Sequence, residues 1–324
     1  MRTAHCAWWI DVVRRAAPFL LAAATLGSAH AVLATSGPST LARWTGTPRL
    51  PVAGDYRYTL TARVRPLLVF WISRPNVGAA RIVRGQAANS ARSYELLIGS
   101  DPDKCPMRLN RWGYVAESTQ DGTSRLVGLM TESNEESVEQ ATAALNQRPQ
   151  GRHPFKAIRA SVANGEASAQ VVRVAFDEAF TLRDVEKVLG RLPEGGEPTA
   201  RVAVPAGTSP GFLAALAQAI HAGAEAFRTS GVAARGRSQA FVYDRGFYDL
   251  TVKSSKVVPQ VQLASKSLRN CIDSELEIRN RATGSTTEFR LVYATGGRLA
   301  EVPVRIVYRP RWYFEAELTL EAWQ

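Results

Sequence analysis

The 324-residue sequence is poor in the residues that carry much enzyme chemistry, with three cysteines, three methionines, four histidines and six lysines. No stretch reaches the roughly 20 apolar residues of a membrane-spanning helix. No lysine-arginine block or aromatic RNA-binding signature is present, which excludes an ordinary nucleic-acid module. Of the histidines, His5 and His30 fall in the N-terminal leader, leaving His153 and His221. Zinc would need both plus carboxylates or a thiolate, and no H-x-x-x-H spacing occurs, so neither a metal site nor a cofactor is expected.

The leader itself has the parts of a secretory signal: Arg14 and Arg15, the run APFLLAAATLG, and the small-residue site Ala29-His30-Ala31. Cleavage near Ala31 would deliver the chain to the periplasm or the medium, with no membrane span in the mature part. Losing Arg2, Arg14, Arg15 and Asp11 takes the formal net charge from +11 to +9. An exported basic protein meets lipid and anionic envelope polymer before it meets nucleic acid, and these are the expected partners. Export also removes Cys6, leaving Cys105 and Cys271. Two cysteines in an oxidising compartment predict one disulfide.

After a Pro/Ser/Thr/Gly-rich lead over 32–54, Tyr56, Tyr58, Leu60, Ala62 and Val64 alternate with Arg57, Thr59, Thr61 and Arg63, the period of a half-buried strand. Leu67–Ile72 reads as a strand buried on both faces. Further strands are expected at Ser93–Ile98, Trp112–Glu117 and Arg125–Met130, the last two joined by Asp121-Gly122. Ser133 and Glu136 mark a helix start, with Val138, Ala141 and Leu145 at helical spacing. A hairpin follows, Ala157–Val162 and Ser168–Phe176, turning at Asn164-Gly165. Leu182, Val185, Leu189 and Leu192 predict a second helix capped by Thr181 and ended by Glu194-Gly195-Gly196. A third, Ala-rich helix over Pro210–Phe227 reads as too apolar for a surface helix. The segment Arg228–Ser238 is the best candidate linker.

Beyond it the pattern is all strand: Ala240–Tyr243, Phe247–Lys253, Glu275–Arg279, Glu288–Tyr293, Val302–Tyr308 and Trp312–Leu320. In the last, Glu315, Glu317, Thr319 and Glu321 would line a wet face. The expectation is an α+β fold, with antiparallel sheet at both ends of the chain and a helical middle. It would be organised as a region 55–232 and a region 233–324 packed as one unit. The segments IGSDP and NRWGY within 81–117, and LAEVPVRIVYRPRWYFEAEL over Leu299–Leu318, are similar to parts of exported β-rich bacterial proteins of unknown function. The resemblance implies export and β-sheet, and it supplies no catalytic residue.

Gly207-Thr208-Ser209-Pro210-Gly211 is a literal G-x-S-x-G between a strand-like run and a helix. Proline after the serine lacks the N–H that an oxyanion hole needs, and no histidine follows His221. Ser209 as helix N-cap with Pro210 in the first turn accounts for the same residues. No catalytic residue is therefore assigned. The turn-rich stretch after YELLI reads as a structural corner stapled by Cys105. Its Asp101, Asp103, Arg108, Asn110, Arg111 and Trp112 are the candidate ligand or partner surface. Together these features point to a non-catalytic binding protein of the envelope, for an apolar ligand held between sheet and helix or for an anionic one. A structural protein with a solid core and a carboxylate-dependent hydrolase are the alternatives.

Overall fold

The computed structural model describes residues 50–64, 71–88, 90–105, 108–132, 152–193, 201–233, 235–263, 266–311 and 314–324. The expected signal, most of the lead and the helix at Ser133–Leu145 lie outside them. Fourteen strands form one sheet in the order β8-β7-β6-β5-β4-β3-β2-β1-β14-β13-β12-β11-β10-β9. Strand therefore runs through the whole chain, correcting the expectation of sheet at the two ends around a helical middle.

The first seven strands are β1 (Val52–Val64), β2 (Ile72–Gln86), β3 (Arg92–Ser100), β4 (Trp112–Gln120), β5 (Thr123–Thr131), β6 (His153–Ala163) and β7 (Glu166–Phe176). After β7 come a 3-10 turn at Leu182–Asp184, helix α1 (Val185–Arg191), the two-residue β8 (Val202–Ala203) and helix α2 (Phe212–Ser230). The remainder is β9 (Ser238–Tyr243), β10 (Gly246–Gln262), β11 (Ser267–Asn280), β12 (Thr286–Ala294), β13 (Pro303–Arg311) and β14 (Phe314–Trp323). Except for β8 and β9, neighbours in sequence pair antiparallel, some through tight turns and others, such as β5 with β6 and β7 with β8, across longer connections. Asp121-Gly122 and Asn164-Gly165 both hold positive φ at each residue, as two-residue hairpins of this hand require. β1 pairs with β14, Leu60 opposite Leu318, so the last strand lies beside the first.

The two ends of the strand order also meet. Beyond β8, Ser209 N–H donates to the Ala240 carbonyl at 2.7 Å, and Val242 N–H donates to the Ser209 carbonyl at 3.0 Å. Tyr243 packs with Leu126, Ile158 and Val171, and Lys156 meets Asp244 at 3.3 Å. The sheet thus rolls on itself, and its concave face takes α2. The helix buries Phe212, Leu216, Ile220 and Ala224 in the same cluster as Tyr58, Leu250 and Ile272. Ala215 and Gly223 let it come close; a Cβ on Gly223 would strike the Tyr293 hydroxyl. Gln218, His221, Glu225 and Arg228 remain exposed at helical spacing, so α2 is amphipathic with one open face, correcting its reading as too apolar for a surface helix. Among the described residues, no helix is long and apolar enough to cross a membrane.

Three local expectations also change. Helix α2 runs on to Ser230 and closes at Gly231 in the left-handed region, which shortens the presumed linker to 231–237. Trp71 and Ile72, expected in a strand buried on both faces, are 38% and 48% exposed, and 67–70 lie outside the described residues. Cys105 and Cys271 are buried free thiols in one apolar cluster, so the expected bridge is not formed. Burial raises both thiols, Cys105 to about 11.

Candidate functional site

The corner singled out from sequence holds itself together. The Asp101 carboxylate accepts from Asp103 N–H at 3.1 Å and pairs with Lys104 at 3.3 Å, while the Asp101 carbonyl accepts from Cys105 N–H at 2.7 Å. Asn110 Nδ2 and Trp112 Nε1 both donate to the Phe180 carbonyl, at 2.9 and 2.8 Å, and Arg111 donates to the Glu132 carbonyl at 3.3 Å. Trp112 is buried against Phe155, with ring centroids 5.4 Å apart. Only Asp103 and Arg108 of the six stand exposed, so the structure does not bring the set together on one open surface.

The G-x-S-x-G serine is likewise committed elsewhere. Ser209 belongs to the bridge with β9 and its hydroxyl donates to Gln218 Oε1 at 3.0 Å; the residue at the N-cap of α2 is Gly211. This corrects the expected Ser209 cap. The capping group comes from β4, where Glu117 accepts from Leu213 N–H and Ala214 N–H, each at 2.8 Å. Gly211 is required there, because a Cβ would collide with the Glu117 carboxylate. Burial raises Glu117 to about 7 against the pull of those backbone donors. Sequence reasoning placed Glu117 only at a strand end, and nothing in its neighbours signals a partner 96 positions away.

A groove of about 850 Å³ opens on the convex face of β1 and β10–β14. Alternation builds it. On β14, Ala316, Leu318 and Leu320 face the core while Glu315 and Glu317 face out, and on β13 Ile306 and Tyr308 face in while Arg305 and Arg309 face out. Glu315 and Glu317 are nevertheless buried, correcting the wet face expected of this strand at those two positions, while Glu321 stands exposed as expected.

Three of the outward carboxylates each lie beneath two cations. Asp273 takes both nitrogens of Arg290, Nε at 2.6 Å, and lies 3.6 Å from Lys256. Glu315 pairs with Arg63 at 3.0 Å and with Arg309. Glu317 pairs with Arg63 at 2.7 Å and with Arg305 at 3.3 Å. The acids are sunk, with Asp273, Glu315 and Glu317 side chains 3%, 7% and 11% exposed. The bases lie over them: Arg63 is 40%, Arg290 47% and Lys256 69% exposed. Counting Lys253 and the exposed Glu275 and Glu288 as well, six cations of the groove face five carboxylates, a surplus of one positive charge. The far corner differs, because there Lys253 alone meets Glu277 at 3.2 Å and Glu288 at 2.6 Å.

Among the described residues, no three His, Cys, Asp or Glu side chains gather as metal ligands. His221 Nδ1 lies 2.9 Å from Glu301, which also binds Arg228 at 2.9 Å, on the exposed face of α2.

No protein-family model matches the sequence, and no curated protein matches it significantly. Two solved structures are similar at a distance. One is a beta-barrel-like protein of a domain of unknown function from Brucella abortus, 9% identical, covering 85% of this chain and 98% of its own, with a TM-score of 0.39. The other is a provisionally named lipoprotein from Parabacteroides distasonis, 9% identical, covering 86% of this chain and 97% of its own, with a TM-score of 0.27.

Proposed function

We propose that the protein is an exported, non-catalytic binding protein of the bacterial envelope, and that its ligand is anionic and sits in the outer groove. The observation that carries this reading is the layering of bases over buried acids. Guanidinium groups pinned from below by carboxylates lose little freedom when an anion arrives from above, and arginine presents a rigid fork of donors to it. A plain surface salt-bridge array contributes little to stability, and the exposed outer ends of the bases are what a ligand would meet.

An apolar ligand between sheet and helix is the weaker option, since α2 packs its own side chains onto the concave face. Hydrolysis by paired carboxylates is weaker too. The oxygens of Asp273, Glu315 and Glu317 are engaged by guanidinium groups, whereas a glycosidase needs one carboxyl group able to hand over a proton.

Calorimetric titration of the exported protein with dextran sulfate and with neutral dextran tests the reading. The sulfated polymer is expected to bind, and to lose roughly tenfold in affinity between low and high salt as charges are screened. Equal binding of neutral dextran, or sulfate binding that survives Arg63→Met unchanged, would overturn it.

A further inference from the structure

We infer that the protein docks on an anionic phospholipid bilayer through the end of the strands β13-β14-β1-β2, with Trp71 and Ile72 entering the lipid interface and Arg74 meeting the headgroups. None of these three residues lines the outer groove, so this inference and the anion-binding reading stand or fall separately.

The register ends four strands on one row. Val64 of β1 pairs with Ile72 of β2 on one side and with Phe314 of β14 on the other, and Phe314 pairs with Arg311 of β13. The hairpins β1–β2 and β13–β14 therefore turn side by side. The Arg309 guanidinium lies 5.5 Å from the Trp71 ring centroid and takes one face of the indole. The rest of the tip stays open: Trp71 is 38% and Ile72 48% exposed, and Ser73, Arg74, Pro75 and Asn76 behind them are exposed too.

Tight turns elsewhere in this sheet use turn-forming polar residues, as at Asp121-Gly122, Asn164-Gly165 and Asp244-Arg245. The two adjoining hairpins break that rule. The sequence joining β1 to β2 over 65–70 is RPLLVF, leading straight into Trp71-Ile72, and WY over 312–313 joins β13 to β14. Over 63–76 and 309–314 the sequence holds five arginines and no acidic residue. Arg63 and Arg309 are held by Glu315, but among the described residues no ion pair engages Arg74.

Size selects the occupant. A row of four strands is about 14 Å wide and one sheet, roughly 10 Å, thick. Such an end presents on the order of 150 Å², far below the roughly 800 Å² that each partner brings to a stable protein interface. A bilayer asks for less, because a few apolar side chains below the headgroups and cations level with them give reversible binding. Tryptophan suits that depth, with an apolar ring and one N–H donor.

The test is flotation of the exported protein with vesicles of phosphatidylcholine alone and of phosphatidylcholine mixed with phosphatidylglycerol. The mixed vesicles are expected to bind more tightly. Ile72→Glu should weaken that binding about tenfold, and Arg74→Gln about fivefold, on the anionic vesicles alone. Both positions are exposed, so thermal midpoints should stay at the native value, and dextran sulfate should bind Ile72→Glu as it binds the native protein.

Equal binding of neutral and anionic vesicles, flotation unchanged by Ile72→Glu, or flotation lost in Arg290→Met and kept in Ile72→Glu would each overturn the inference. A protein that ignores vesicles and instead forms concentration-dependent dimers broken by Ile72→Glu would assign the tip to a second copy, and that also overturns it. Dextran sulfate binding without vesicle binding would remove this inference and leave the groove reading in place.

Discussion

The rolled sheet has two walls built by different rules. In β3–β7 both faces are dry. Leu96, Val115, Leu126 and Ile158 face the concavity, while Tyr114, Val127, Leu129, Phe155 and Val172 face outward into a second cluster closed by Phe180 and α1. Phe155, Phe176 and Phe180 meet edge to face there, with centroids 5.3–6.3 Å apart. In β1 and β10–β14 the inner face is equally dry, but among the described residues the outer face carries no helix. The charges of that wall replace a covering layer, since the arginine stems shield the acids beneath them. A sheet face can thus be closed by an apolar lid or by its own long side chains, and only the second leaves donors for a ligand.

Breaking the apolar lid should cost most. Phe155→Ala removes a side chain that is 1% exposed, and a loss of about 3–5 kcal/mol is expected from the denaturant midpoint. A smaller loss than that of Arg290→Met would reverse the ranking of the walls.

The acid that ties the dry wall to α2 should make stability depend on pH. Glu117 titrates near 4.5 in the unfolded chain and about 7 in the folded one, so the folded state holds the extra proton between those values. Stability from this group is then present below pH 4.5 and is lost as pH rises towards 7, by about 3 kcal/mol. Thermal unfolding at pH 5 and pH 8 should show that slope in the native protein and a flattened one in Glu117→Gln. A slope that survives the substitution would assign it to another group.

On the charged wall, Arg290→Met leaves the buried Asp273 with Lys256 alone, at a cost of about 1–3 kcal/mol. Lys256→Gln at the exposed end of the same network should change stability by under about 0.5 kcal/mol. Urea midpoints for the pair separate buried acid from exposed base. Equal effects would mean that Asp273 is not sheltered as described.

Local pattern made parts of both walls legible. Asn164-Gly165 between two alternating runs is a hairpin signal with a backbone reason, and β6 and β7 form around it. Thr181 was readable as a cap, and it closes a capping box with Asp184. The long β2 was not readable, because Pro75, Asn76, Gly78 and Gly85 break up its pattern. It persists as a strand between β1 and β3, with Asn76 at positive φ and an irregular register opposite Thr59–Thr61. At the groove, Glu315 and Glu317 look like the wet side of β14, since alternation reports two faces and says nothing of what covers either.

By itself the sequence determined many of the strands and the tight turns at Asp121-Gly122 and Asn164-Gly165, and thus the antiparallel pairing across those turns, because period and turn chemistry act over a few residues. The tertiary structure decided that β1 closes on β14, that Glu117 caps α2, and that Arg63 reaches Glu315 across 252 positions. Those partners meet only once the sheet has rolled, and a carboxylate's exposure depends on which side chains the roll brings over it.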